Sequence, residues 1–600
     1  MIPTDMDAYQ DIRAAKSPAV SPDGEVLAYL SDESGFHQVW MRPLAGGPAR
    51  RVTDFAEPVG AIAFSPKSRD LVMTVDCGGD ERHNLWLLPE GRDTPVPLTQ
   101  DPDTVHVWGC WAPDGQRIAY SANSRDKAAM DVYVLDIATR TPTCVFSESG
   151  FREALAFTPD GLALVLRDSR RGTGDQDLFL LDLTSGDLAP LAPHAGRARY
   201  TATRMKKDGT GCFVVTDQGG DFLRLGLLSF STRTVIPVAA RPDCDIDTVA
   251  IHADSGRAAY VVNDRGWSRV FVRDLAGESE TELTGLPPGV VGALAFTPDG
   301  RSLVVPHEGA ATPADLWRLD PTAATPPERL TDAAKGGLDR SGFVEPAEVR
   351  IASFDGTTVP ALVYRPAGAP PPGGWPAVVV VHGGPEAQWQ PTFRADLQWL
   401  TANGVLVVAP NVRGSTGYGR PFHEADDRHR RMDAVADLKA VRDWLAARAD
   451  VDAARLVVYG RSYGGFMVLA ALTEYPDDWK LGVEFYGIAN FETLLETTGP
   501  WRRKLRAAEY GDPDDGESDL LRRISPFHAL DRVRAPLMIV HAGEDPRVPP
   551  GESEMVYSRL RGLGRPVRIL RIPHEGHGFA RAENRRTVFG AFAEFLAEQL

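Results

Sequence analysis

A short turn recurs seven times through the first half of this 600-residue chain, and no other feature restricts its fold so strongly. Ser21-Pro22-Asp23-Gly24 returns as Ala112-Pro113-Asp114-Gly115, Thr158-Pro159-Asp160-Gly161 and Thr297-Pro298-Asp299-Gly300. Degenerate copies are Ser65-Pro66-Lys67-Ser68, Lys207-Asp208-Gly209 and His252-Ala253-Asp254-Ser255-Gly256. Their third positions fall at 23, 67, 114, 160, 208, 254 and 299, steps of 44 to 48 residues. Pro presets φ at the second place of such a turn, and Gly relieves crowding where the chain leaves it. An alternating run follows each turn, as in residues 116–120 and 301–305, and about 15 residues later comes a run opening on bulky side chains such as Val39-Trp40 or Leu316-Trp317. The fifth unit is the weakest, with Leu223-Arg224-Leu225 in that place. Period-2 strands repeated at this interval predict four-stranded blades set radially, a seven-bladed β-propeller over residues 20–338.

Near residue 340 the pattern changes. Pro326-Pro327 and Lys335-Gly336-Gly337 read as the close of the last blade, and Pro370-Pro371-Pro372-Gly373-Gly374 as a surface loop. Short apolar runs at 377–381, 405–409, 455–459, 481–485, 536–540 and 567–570 then alternate with helical patterns, including 432–448 and one starting at Tyr463. Buried strands separated by helices predict a parallel sheet covered on both faces, an α/β domain over residues 339–600.

The sharpest chemical signal is Gly460-Arg461-Ser462-Tyr463-Gly464-Gly465, which ends a predicted strand and opens a predicted helix. That is the setting of a nucleophile elbow, whose glycines let the chain turn tightly enough to lift the Ser462 hydroxyl above the sheet edge. An α/β-hydrolase then needs an acid and a histidine, in that order. Asp545 follows the strand ending at Val540, and His577 follows the one ending at Ile572. Both therefore belong to loops at the edge that carries Ser462. His577 would serve as general base and then acid, and Asp545 would orient it. Glu544 and His574 are their nearest rivals, and Asp545 and His577 are preferred from placement. His574, Glu575 and His577 lack the helical spacing and third ligand of a zinc site, so no metal and no cofactor is expected. An oxyanion hole needs two donors. The Tyr463 N–H would be one, and the other would come from His382-Gly383-Gly384-Pro385, with Gly384 preferred over Gly383 and the His382 side chain. Arg413, in Asn411–Gly419, could hold a substrate carboxylate, although bracing by buried hydrogen bonds is the preferred role. Phe491, Leu495 and Trp501, after another strand at the same edge, are candidates for pocket walls or for core.

Taken together, these motifs resemble the prolyl oligopeptidase family of serine peptidases, and within it the acylaminoacyl-peptidase branch. The resemblance spans nearly the whole chain: seven blade-like repeats, HGGP, the Asn411–Gly419 segment, GRSYGG, the acid loop around Asp545 and HEGHGF, in family order. It implies Ser462, Asp545 and His577 as the triad, Tyr463 and Gly384 as oxyanion donors, and residues 1–19 packed back on the hydrolase domain. Prolyl oligopeptidases proper and dipeptidyl peptidases usually carry Tyr where His382 stands, which favours the acylaminoacyl branch. Dipeptidyl peptidases also hold the substrate amine with a pair of propeller glutamates, and no such pair is evident here. Ala542 replaces a usual Gly ahead of Asp545.

The implied activity is hydrolysis of short peptides through an acyl-enzyme, releasing an acylated or free N-terminal residue. Rival readings are a small-molecule amidase or esterase, dipeptidyl or prolyl oligopeptidase specificity, and a propeller scaffold with an inactive hydrolase domain. A formal charge of −17 and a pI near 5.3 argue against nucleic acid as a partner. The acidic start, without a basic and apolar leader, and the lack of a long apolar run lead us to expect a cytoplasmic protein off the membrane. Five scattered cysteines read as reduced, buried thiols. Blade edges leave a homo-oligomer compatible with the sequence.

Overall fold

The computed structural model describes residues 6–277, 279–333 and 338–600. Lys335-Gly336-Gly337 and the first five residues of the expected N-terminal segment lie outside them.

Each recurrent turn joins the two inner strands of a blade, and in the best-formed copies its aspartate organises it. In the first, Asp23 Oδ1 takes the Ser21 hydroxyl at 2.5 Å and the Glu25 N–H at 3.1 Å. Asp160 and Asp299 repeat this with Thr158 and Thr297, each at 2.6 Å. The closing glycines 24, 115, 161 and 300 have φ of 65–75°, a left-handed conformation that glycine adopts without penalty. Four-stranded antiparallel sheets span 15–51, 59–97, 106–146, 152–190, 200–239 and 245–283. The seventh, 290–329, has its innermost strand split into Val290–Val291 and Ala295–Phe296, both paired with Leu303–Glu308.

Alternation along the strands builds the ring. In Val26–Ser31, Leu27 and Tyr29 pack toward blade 7 while Ala28 and Leu30 pack toward blade 2. Seven such clusters fill the seven seams between neighbouring blades. The seam from blade 7 to blade 1 is closed by Ala15, Leu27, Tyr29, Val304 and Leu316, and by the Ala15 N–H donating to the Ala314 carbonyl at 3.0 Å. Among the described residues no strand is exchanged across it.

Eight strands form the sheet of the second half: β1 (Ala347–Ala352), β2 (Thr358–Tyr364), β3 (Trp375–Val381), β4 (Leu406–Pro410), β5 (Val451–Arg461), β6 (Leu481–Phe485), β7 (Leu537–Ala542) and β8 (Val567–Ile572). Their order is 1-2-4-3-5-6-7-8. The pairs β1–β2 and β2–β4 are antiparallel and the rest parallel, so the expected parallel sheet gains an antiparallel edge that the sequence reading missed. Val435, Leu438, Val441 and Leu445 of helix Arg431–Ala446 pack one face with helix Tyr463–Glu474. Helices Ala395–Ala402 and Ala582–Gln599 cover the other. Met6 is buried in that second cluster, and Asp11 pairs with Arg586. Ala15–Val20 is already the first propeller strand.

All five cysteines are free, but only Cys212 and Cys244 are buried. The expectation of five buried thiols fails most clearly at Cys144, which lies exposed on Thr141–Phe146, the outer edge strand of its blade. Among the described residues no helix is long and apolar enough to cross a membrane.

Candidate active site

The parallel strands all end at one edge, where loops gather over the sheet as in other α/β folds. β5 runs into Ser462, whose φ of 59° and ψ of −121° hold it at the point of a sharp bend before helix Tyr463–Glu474. Such a conformation is strained for a residue with a Cβ and persists only where the surroundings enforce it. Here they do. A Cβ on Gly460 would fall 2.2 Å from the Gly464 carbonyl oxygen, and one on Gly464 would fall 2.3 Å from that of Val381. The Ser462 N–H is held by the Phe485 carbonyl at 2.9 Å.

The loops after β7 and β8 bring the other two candidates to this point. His577 Nε2 lies 2.8 Å from Ser462 Oγ, and its Nδ1 lies 2.6 Å from Asp545 Oδ2. Asp545 Oδ1 accepts the N–H groups of Arg547 at 2.8 Å and Val548 at 3.0 Å. Burial alone would raise the Asp545 carboxyl, but the His577 charge, that hydrogen bond and His541 outweigh it and hold the group below its ordinary value. It is therefore an anion at neutral pH, able to orient and stabilise an imidazolium. The Tyr486 ring centroid lies 4.6 Å from that of His577. The rivals are engaged elsewhere or exposed. His574 is exposed, and Glu575 is buried with its oxygens on the N–H groups of Ala580 and Arg581 and on Asn584. The Glu544 N–H donates to the Glu575 carbonyl.

Tyr463 opens its helix, so its N–H has no acceptor within it. The buried Tyr463 hydroxyl bonds to Asp426 at 3.0 Å and to Arg431 at 3.2 Å, which fixes the start of that helix. Gly383-Gly384 runs beside the serine: a Cβ on Gly383 would lie 3.4 Å from Ser462 Cβ. The Gly384 carbonyl accepts the Tyr510 hydroxyl at 3.5 Å.

Four of the five remaining candidates are taken up by contacts within the chain. His382 is buried, with Nδ1 2.7 Å from the Gly383 carbonyl and Nε2 2.9 Å from Ser415 Oγ, and burial pushes it down to about 4. Both ring nitrogens are occupied, so the substrate-binding expectation gives way to a structural one. Arg413 takes the bracing role preferred for it rather than a substrate-binding one, since its guanidinium is shared between Asp437 at 2.8–2.9 Å and Asp355 at 3.0–3.1 Å. Phe491 and Leu495 are core residues, Phe491 packing on Phe466 and Tyr510. Only Trp501 reaches the open space over the site.

That space is a cavity of about 750 Å³ between the two halves of the molecule. Its floor includes His577, Trp501, Arg502 and Arg547, and its roof includes Glu57, Glu81, Glu153 and Arg167 from the propeller. The sequence reading located no pair of propeller glutamates for a substrate amine, and nothing in the sequence marks these acids. Each meets an arginine: Glu57 with Arg581 at 2.9 Å, Glu81 with Arg547 at 2.6 Å and Glu153 with Arg167 at 2.6 Å. The first two pairs cross the interface, as do Ala582 N–H to the Gly35 carbonyl at 2.9 Å and Arg585 to Asp32 at 3.0 Å. One approach is backbone on backbone. A Cβ on Gly576, next to His577, would come within 1.7 Å of the Gly79 carbonyl oxygen of blade 2.

The sequence profile of the prolyl oligopeptidase family matches residues 391–600. The chain is 32% identical to dipeptidyl peptidase family member 6 of Caenorhabditis elegans, across 97% of this chain and 85% of that one. It is 29% identical to dipeptidyl aminopeptidase BIII of Pseudoxanthomonas mexicana, across 97% and 86% respectively. Among solved structures, a puromycin-hydrolyzing peptidase of Mycobacterium tuberculosis superposes with a TM-score of 0.88 at 21% identity, covering 100% of this chain and 96% of that one.

Proposed function

Since this chain belongs to the prolyl oligopeptidase family of serine peptidases, we propose that it releases a one- or two-residue N-terminal fragment from short peptides, with Ser462, His577 and Asp545 as its catalytic residues. Ser462 Oγ attacks the scissile carbonyl while His577 Nε2 takes its proton. The N–H groups of Tyr463 and Gly384 receive the developing oxyanion, and His577 passes the proton to the leaving amine. Water, activated by the same imidazole, then hydrolyses the ester. Asp545 keeps the ring oriented and its charge balanced throughout. The observation that carries this reading is the unbroken line of hydrogen bonds from Ser462 through His577 to Asp545.

Two considerations support this substrate class. The cavity is roofed by the propeller, which favours short peptides over folded proteins. The relatives at 29% and 32% identity bear dipeptidyl peptidase names, which puts a two-residue fragment beside the single residue implied by the acylaminoacyl resemblance.

Fluorophosphonate labelling of the full chain, lost in Ser462→Ala, tests the nucleophile. Ser462→Ala and His577→Ala should each lower kcat by about 10⁴–10⁶, and near-normal turnover in either would refute the assignment. Chromogenic acyl-aminoacyl, free aminoacyl and dipeptidyl amides divide the fragment lengths. Comparable cleavage of casein and a pentapeptide would refute the size limit.

A further inference from the structure

Helix Pro500–Tyr510 presents Arg502 and Arg506, one turn apart, to the cavity that also holds His577 and Arg547. Two of these three cations have counterparts. Arg547 is paired with Glu81, and Arg506 bonds to the Tyr510 hydroxyl and faces the charge of Glu386. Arg502 differs. Among the described residues its guanidinium makes no hydrogen bond and no ion pair, and its Nε, like that of Arg506, is sealed from solvent without a partner. The other arginines of the wall, Arg167 and Arg581, each hold a carboxylate. Burial first, and then the neighbouring charges of Arg506 and Arg547, push Arg502 down to about 10, despite the more distant pull of Glu81 and Asp545. A partly desolvated cation facing two others weakens the fold unless an anion joins it. The planar fork of a guanidinium matches a carboxylate with two parallel hydrogen bonds. Trp501, adjoining it on the same wall, offers an apolar surface alongside.

We propose that Arg502 is the receptor for a carboxylate carried by the peptide substrate, and hence a residue that determines specificity. The proposal rests on the peptide-cleaving reading above and narrows it. The carboxylate comes either from an acidic side chain near the scissile bond or from the free C-terminus of a peptide short enough to lie wholly within the cavity. The recognising chemistry is the same, and matched substrates separate the sources.

The test uses the full-length enzyme, Arg502→Gln and Arg502→Met, and two pairs of short peptides: Glu against Gln beside the scissile bond, and a free C-terminal acid against its amide. Wild type should prefer the charged member of at least one pair. Both variants should lose that preference at least tenfold in kcat/KM, through KM, and Arg502→Lys should keep part of it. The pair that responds identifies the source. Both variants should also melt at a higher temperature than wild type, because an uncompensated charge is gone. The proposal is overturned if wild type discriminates in neither pair, if the preference survives in the variants, or if charged and neutral substrates lose activity alike while the melting temperature falls. Fluorophosphonate labelling of the same preparations keeps the two readings apart. Unlabelled wild type would sink the serine peptidase assignment itself, whereas normal labelling with unchanged preference would sink only the role of Arg502.

Discussion

Glu484, at the end of β6, is fully buried behind the Asp545 loop. One oxygen accepts the Gly487 N–H at 2.7 Å, and the other lies 3.4 Å from Ser553 Oγ. Ser553 Oγ is 2.5 Å from His541 Nδ1, and His541 Nε2 meets the Val548 carbonyl at 2.9 Å, next to the N–H that Val548 gives Asp545. Burial, with a smaller contribution from the Glu552 charge, raises the Glu484 carboxyl to about 8 against the hydrogen bonds from Gly487 and Ser553. It is therefore a neutral acid at neutral pH, able to donate to Ser553. Because the folded value exceeds the unfolded one, its contribution to stability is complete below about 4.5 and is lost as pH rises through about 8. Glu484→Gln keeps the shape and removes the titration. The melting temperature of wild type should accordingly fall relative to that of the variant between pH 5 and pH 8, measured by scanning calorimetry. Parallel curves would refute this account.

Arg413 shows how elements are tied together around the site. It joins the β1–β2 turn, through Asp355, to helix Arg431–Ala446, through Asp437, from the loop that follows β4. Asp437 is fully buried and also takes the Ser353 hydroxyl at 2.5 Å. Arg413→Met strands that charge, so urea denaturation should show a loss of about 3–5 kcal/mol. Most of the loss should return in Arg413→Met with Asp437→Leu, and an additive double variant would contradict the coupling. At this scale much was legible beforehand. Ser462, Asp545 and His577 each sit just past an apolar strand within a distinctive loop, and the helix starts at Tyr463 as its glycines require. The blades were legible because the turn chemistry repeats with the strands. The β1–β2 hairpin was missed because it pairs with the sheet through β4, which lies more than forty residues on. Phe491 and Leu495 stayed ambiguous because an apolar side chain after a strand reads the same whether it faces a pocket or the core. The propeller acids and the isolation of Arg502 were invisible, since they depend on partners such as Glu81 and Arg547 meeting across the fold.

Across the whole molecule, the loop that carries His577 is shaped by both halves. Gly576 lies against Gly79, and Arg547, Arg581, Ala582 and Arg585 on either side of the histidine all reach the propeller. Gly79 also has φ of 87°, and a Cβ there would fall 2.7 Å from the Gly576 nitrogen, so a β-branched residue cannot fit without pushing the loop away. Gly79→Val should lower kcat by roughly 10²-fold, the scale of a displacement of about 1 Å at a reacting group. KM for a small chromogenic amide should change less, and fluorophosphonate labelling should slow in step with kcat. Unaltered kcat would mean that the His577 loop holds its place unaided.

The contact between Gly79 and Gly576 therefore makes the placement of His577 depend on the propeller as well as on its own half of the chain. A force that parts the two halves slightly would slow turnover by displacing His577 rather than by filling the space for peptide. Inhibition of that kind would appear as a falling maximal velocity that no excess of substrate restores.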